Sequence, residues 1–346
     1  MLIWQNLPKF AAQFCNDWIM KNCMFWLWVW IALMCCPAVS AQDSPTGRPR
    51  IGLVLGGGGA KGAAEVGVLK VIEEAGIPID YIAGTSIGSI VGGLYSVGWR
   101  AAALDSMFRS QEWLSLLGDR DKEQGDKILS QKDGVTYVFG FPVSRRGSKN
   151  ADVLVGALNG DHVVSLLQKM TRCKDSISFD ALPIPFRCVA TDVNELKEVV
   201  IGSGNLPQAM RASMAIPGAF KPVRSGKRLL VDGGVVNNLP VDVVKQMGAD
   251  IVIAIDLSQE EQKTRDFSLK ETIGIGGWLD WVFSRPDIDK YQQNRKDADI
   301  CINPRLGEYG VTCFSKDAVS EMISMGEQAA RQHWQELLAL KARIRQ

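Results

Sequence analysis

Ser86 lies in Gly84-Thr85-Ser86-Ile87-Gly88, a Gly-x-Ser-x-Gly pattern that begins 22 residues after the glycine run Gly56-Gly57-Gly58-Gly59-Ala60-Lys61-Gly62 ends. A serine at a sharp strand-to-helix corner is forced into an unusual backbone conformation, and the flanking glycines leave room for it. The N–H of the next residue, Ile87, then points toward an acyl oxygen held at the serine, and the helix dipole adds positive potential. The glycine run offers further bare N–H groups, a cradle for an anion. Nucleophile and oxyanion site together are most of an acyl-transfer centre. An isolated Gly-x-Ser-x-Gly is weak evidence, because a serine opening a helix is often an N-cap. Its place after a strand, before a helix and just downstream of the cradle favours the nucleophile.

The cradle has competitors. Gly57-x-Gly59-x-x-Gly62 matches a dinucleotide fingerprint, which needs an acidic residue closing the second strand. Here that strand closes with Gly84-Thr85-Ser86, and Asp80 lies before it. A Walker loop needs Ser or Thr after its lysine, and Gly62 follows Lys61. Lys61 itself fixes the loop, faces lipid headgroups, caps a carbonyl or stays solvated; the sequence leaves these open.

A Ser-His-Asp triad needs a histidine, and the chain has two, His162 and His333, neither near a glycine turn or a strand end. A better base is Asp232, which closes Arg228-Leu-Leu-Val231 and precedes Gly233-Gly234. We expect it at the carboxyl end of a parallel strand, where such folds gather their chemistry. In a partly dry site its pKa would rise toward the basicity that deprotonating a hydroxyl demands. Asp192, Asp242 and Asp256 are rivals at plausible element ends, and Asp-Gly-Gly alone is an ordinary turn.

The elements that must position these groups alternate. Ile51–Leu55, Tyr81–Ala83, Phe186–Thr191, Glu198–Ile201, Arg228–Val231 and Ile251–Ile255 read as strands. Ala63–Ala75, Ile87–Val97 and Ala151–Met170 read as helices, and Ser315–Arg343 as one long amphipathic helix or a pair. Alternation with short connections predicts an α/β fold: a mainly parallel central sheet with helices on both faces. Residues 118–150 read as a polar surface excursion. Thr272–Phe283, with Trp278 and Trp281, reads as core packing rather than a membrane or acyl contact.

Composition bounds the partners. At 346 residues and 46% hydrophobic, the chain can bury a large core. Beyond residue 41 it carries 37 basic and 37 acidic residues, so no nucleic-acid partner is expected. Residues 1–41 stand apart. Lys21 precedes an uncharged apolar stretch, Cys23–Cys36, which leads through Pro37 to Ala38-Val39-Ser40-Ala41. Charged start, apolar middle and small-residue exit read as a cleaved export signal, with a retained anchor as the alternative. Translation starts at Met1 or Met20. Residues 42–50 read as a linker, and 51–346 as one catalytic domain with a core at 51–255 and a helical part at 258–346. Export leads to the periplasm, the outer membrane or the medium. Cys173, Cys188, Cys301 and Cys313 read as buried free thiols, with disulfides in any of about three pairings as the alternative that export would permit, and with no CxxC or Cys/His cluster no metal site is expected.

Four blocks in order carry a resemblance: Gly57–Gly62, Gly84–Gly88, Arg211-Ala-Ser213-Met-Ala215-Ile-Pro217 and Asp232-Gly233-Gly234. In them the chain resembles the patatin-like phospholipases, serine lipid acyl hydrolases with a Ser–Asp dyad. The resemblance implies a three-layer α/β/α fold, Ser86 as nucleophile and Asp232 as proton acceptor. It also implies an oxyanion hole from the N–H groups of Gly57, Gly58 and Gly59, and makes the missing triad histidine expected. The substrate would be a phospholipid or other acyl-ester lipid met at a membrane surface, with no cofactor. The residues alone say esterase or acyltransferase. A lipid-binding or secretion-related protein with little turnover, and a dinucleotide-binding enzyme, remain as alternatives.

Overall fold

The computed structural model describes residues 47–118, 129–132, 135–138, 158–217, 219–258 and 288–344. The N-terminal apolar segment, most of the polar excursion, the expected helix before residue 158 and Thr272–Phe283 lie outside these.

Within the unit Pro49–Gln346, the centre is one sheet. Its strands are β1 (Ile51–Leu55), β2 (Tyr81–Thr85), β3 (Phe186–Asp192), β4 (Lys197–Ile201), β5 (Val223–Ser225), β6 (Arg228–Asp232), β7 (Ile251–Ile255) and β8 (Ile300–Ile302). The spatial order is β8-β7-β1-β2-β3-β6-β5, with β4 on the remaining edge of β3. The run from β8 to β3 is parallel. Side chains alternate between two apolar layers, as strand geometry requires. Ile51, Leu53 and Leu55 enter the larger core with α1 (Ala63–Ala75) and α2 (Ile87–Ser96). Val54 enters the smaller one, with Val244 of α7 (Val241–Gln246) and Tyr291 of α8 (Ile288–Asp297), numbering helices along the chain. A continuous apolar strand flanked by helical layers is the mark of a sheet buried on both faces.

The pairing of β6 differs from expectation. It runs antiparallel to β3, so Asp232 does not end a parallel strand. Along one edge of β3, β2 comes from one direction and ends with Thr85 opposite Val189. Along the same edge β6 comes from the other direction and ends with Asp232 opposite Ala190. The two carboxyl ends meet nose to nose, which brings together residues 146 apart in sequence.

The C-terminal part is woven into the same body rather than being only helical. Its strand β8 extends the sheet beside β7, and the expected long helix is a pair, α9 (Lys316–Gln332) and α10 (Trp334–Ile344), broken at His333. Helix α9 lies against α1 at backbone contact: a Cβ on Gly326 would stand 1.9 Å from the Ala64 carbonyl oxygen, and one on Gly67 would stand 1.9 Å from that of Ile323. The helix expected from Ala151 begins, within the described residues, at Asp161 as α5 (Asp161–Thr171).

Candidate active site

Ser86 joins β2 to α2 with φ 54° and ψ −123°. A non-glycine residue in such a region stores about 1–3 kcal/mol of strain, and surrounding bonds must hold it there. The Ser86 N–H donates to Ser213 Oγ at 2.9 Å, and that hydroxyl donates to the Val189 carbonyl at 2.6 Å. The Ser86 carbonyl accepts from Ser89 N–H at 2.9 Å and Ser89 Oγ at 2.6 Å. Close approach explains the flanking glycines: a Cβ on Gly84 would meet the Gly88 carbonyl oxygen at 2.4 Å, and one on Gly88 that of Leu55 at 2.3 Å.

Ser86 Oγ donates to Asp232 Oδ2 at 2.6 Å, and Asp232 Oδ1 accepts the Gly234 N–H at 2.8 Å. The Asp232 side chain is fully buried and Ser86 is 2% exposed. Burial pushes the Asp232 carboxyl up to about 7, and the bonds from Ser86 and Gly234 offset this only in part. The rival carboxylates are engaged elsewhere. Asp192 accepts from Asn194 N–H, Asp242 is bonded to Asn237 and Asn294, and Asp256 takes the Tyr291 hydroxyl and the Ser258 N–H. His162 stands in the first turn of α5, and His333 pairs with Glu336. Neither bonds to Ser86 or Asp232.

The glycine turn lies beside Ser86 and opens the 3-10 turn Gly59–Gly62 that leads into α1. One expectation needs correction. The Gly57 N–H is not available to a ligand, because it donates to the Asn238 carbonyl at 3.2 Å. Gly56 N–H likewise donates to Ile255. Among the described residues the N–H groups of Gly58, Gly59 and Ile87 donate to no protein group. Lys61 is buried, at 8% exposure, rather than solvated, and Gly62 abuts Ile87, whose Cγ1 would be 2.2 Å from a Cβ there. Gly233 and Gly234 form the turn after Asp232.

Ser86 and Gly59 open on a cleft walled by Ile87, Ile90, Trp113, Met214, Phe220 and Phe314, with about 760 Å³ of space counting its mouth. The third sequence block builds its wall. From α6 (Leu206–Ser213) the buried Arg211 stacks on the Phe220 ring at 4.8 Å and donates to the carbonyls of Asn159 and Lys221. These fix the bridge between Leu158 and Phe220. Among the described residues, no three His, Cys, Asp or Glu side chains are grouped to hold a metal ion.

Sequence reasoning missed four features. Ser213 anchors the backbone of Ser86. Asn238 braces the glycine turn. Glu65 is fully buried, and burial holds its pKa well above the usual carboxylate range, which the neighbouring Gly56 backbone offsets only in part. Val311, Thr312 and Phe314 line the cleft from beyond every recognisable motif, and the Val311 carbonyl accepts the Ala60 N–H at 2.9 Å.

A family model for patatin-like phospholipase matches residues 53–245. Patatin-like phospholipase domain-containing protein 6 of Mus musculus is 34% identical over 242 residues, covering 69% of this chain and 16% of its own length. Lysophospholipase nte1 of Aspergillus fumigatus is 33% identical over 215 residues, covering 62% and 12%. The chain thus spans a fifth or less of the length of these curated relatives. Among solved structures, VipD from Legionella pneumophila superposes with a TM-score of 0.49 at 15% identity, over 84% of this chain and 67% of that one. With the matched region running from β1 through Asp232 into α7, the chain belongs to the patatin-like phospholipase family.

Proposed function

We propose that the chain is a serine lipid acyl hydrolase in which Ser86 and Asp232 act as a dyad. The observation that carries this is the 2.6 Å contact between Ser86 Oγ and Asp232 Oδ2 at the floor of an apolar cleft. Asp232, ionised, takes the hydroxyl proton as Ser86 Oγ attacks the ester carbonyl. The oxyanion that forms is received by the free N–H groups of Gly58, Gly59 and Ile87, at the positive end of α2. Collapse of the intermediate breaks the ester C–O bond, and the protonated Asp232 returns its proton to the leaving alcohol. Water then attacks the acyl-Ser86 ester with Asp232 again accepting the proton, and the fatty acid departs. No step requires a metal or cofactor.

The apolar walls suit a long acyl chain, and the relatives' names point to phospholipid and lysophospholipid esters; the chain would meet these at a membrane surface. The test is mass-spectrometric identification of products from total lipid extract incubated with wild type, Ser86→Ala and Asp232→Asn. We expect free fatty acid and the matching deacylated lipid from wild type alone. Asp232→Asn should lose about 10²–10⁴-fold in kcat, the usual contribution of a general base. Full activity in either variant sinks the dyad, and lipid binding without products favours a binding protein instead.

A further inference from the structure

Asn238 bonds to both backbone polar groups of one residue, Gly57. Its backbone carbonyl accepts the Gly57 N–H at 3.2 Å, and its side-chain Nδ2 donates to the Gly57 carbonyl at 3.2 Å. The contact joins positions 181 apart in sequence. Its Oδ1 is buried without a hydrogen-bond partner. A Cβ on Gly57 would lie 2.3 Å from that oxygen and 3.1 Å from Ser86 Cβ. A Cβ on Gly234 would lie 2.8 Å from it and 3.1 Å from Asp232 Oδ1. The carboxamide therefore fills the gap between the glycine turn and the aspartate turn, a gap that exists because both turns lack a side chain there.

The segment holding Asn238 is itself clamped. Thr85 Oγ1, one residue before the nucleophile, donates to the Asn237 carbonyl at 2.9 Å. The Asn237 side chain donates to Glu198 at 2.7 Å and Asp242 at 2.9 Å, and accepts from Asn294 at 3.1 Å. Lys290 closes this network on Glu198 and Asp242. A side chain so held has little freedom, and what it bonds to inherits that rigidity.

We propose that Asn238 is a positioning residue that locks the oxyanion turn against the Asp232 turn, so that the Gly58 and Gly59 N–H groups stay aimed at the acyl oxygen on Ser86. The inference rests on the hydrolase reading for its catalytic consequence, while the locking itself is independent of it. Displacing an oxyanion donor by about 1 Å can cost about 10²-fold in rate. Asn238 touches no reacting atom and is not among the residues that wall the cleft.

The variants are Asn238→Ala, which removes the carboxamide, and Asn238→Asp, which keeps its shape but replaces the Nδ2 donor. Two readouts apply: amide hydrogen exchange of the peptide covering Gly56–Gly62, measured in the cold below each variant's unfolding midpoint, and steady-state hydrolysis of a lysophospholipid. We expect faster exchange in Gly56–Gly62 but not in β7 for both variants. We also expect kcat down about 10²-fold, with KM within about 2-fold. Wild-type exchange in that peptide, or wild-type kcat in Asn238→Asp, overturns the proposal. An isosteric variant that stays fully active would reduce Asn238 to packing. If the wild-type protein hydrolyses no lipid ester, the hydrolase reading falls while the exchange result still decides the locking.

Discussion

Taking the Asp232 carboxyl out of water raises its pKa to about 7, and that shift has opposite consequences for chemistry and for stability. As a base it must be ionised, so kcat/KM rises with pH through about 7, a limb that Asp232→Asn lacks. For stability, both folded and unfolded chains are protonated below the ordinary value of 3.8. Between 3.8 and about 7 only the unfolded chain releases the proton, so folding weakens as pH rises, and above 7 the penalty is complete. Asp232→Asn should therefore raise the thermal midpoint at pH 8 and leave it nearly unchanged at pH 3. The penalty relieved is at most on the order of 4 kcal/mol, at about 1.36 kcal/mol per unit. A midpoint that falls equally at both pH values contradicts this. Ser213→Ala would strand the buried Ser86 N–H, costing about 1–3 kcal/mol. It should lower kcat without moving the pH limb, as unfolding and pH–rate curves would show. At this scale short motifs singled out Ser86 and Asp232, which the fold brings within 2.6 Å of each other. Ser213 and Asn238 act through contacts 127 and 181 residues away, and no local pattern encodes those. Gly57 looked like a free donor for the same reason: its acceptor belongs to a distant turn.

At the level of elements, the meeting of β2 and β6 along one edge of β3 brings Ser86 to Asp232. The strands themselves could be read from their apolar runs, because a buried strand declares itself by composition. The direction of β6 could not, because direction depends on which edge a five-residue strand finds, and that is settled by tertiary packing. The cleft wall shows the same division. Arg211 stood in a recognised block, but its stacking on Phe220 brings together residues from two separate segments. The α1–α9 contact is testable. Gly326→Val places a branched side chain where even a Cβ would stand 1.9 Å from the Ala64 carbonyl oxygen. Separation of the helices should destabilise the fold by about 3 kcal/mol or more, the scale of severe overpacking. Denaturant titration would show it; an unchanged midpoint would mean that the helices do not dock so closely.

For the whole molecule, the family match ends at residue 245, yet β8 completes the sheet and Val311, Thr312 and Phe314 line the cleft. The α/β class, the mainly parallel sheet and the two helical layers were all legible from alternation. The contribution of residues beyond 258 was not, because it carries no motif and acts by packing. The first 41 residues we propose to be an export signal, with Gln42 as the mature N-terminus; N-terminal sequencing of protein recovered outside the cytoplasm should begin there, and a chain retaining residues 1–41 would favour an anchor. The central claim is that Ser86 is a nucleophile driven by Asp232. Peptide mass spectrometry after reaction with a fluorophosphonate probe tests it most directly. The account predicts a single adduct, on Ser86, forming about 10²–10⁴-fold more slowly in Asp232→Asn. An adduct on another residue, or equal rates in the two proteins, would contradict it.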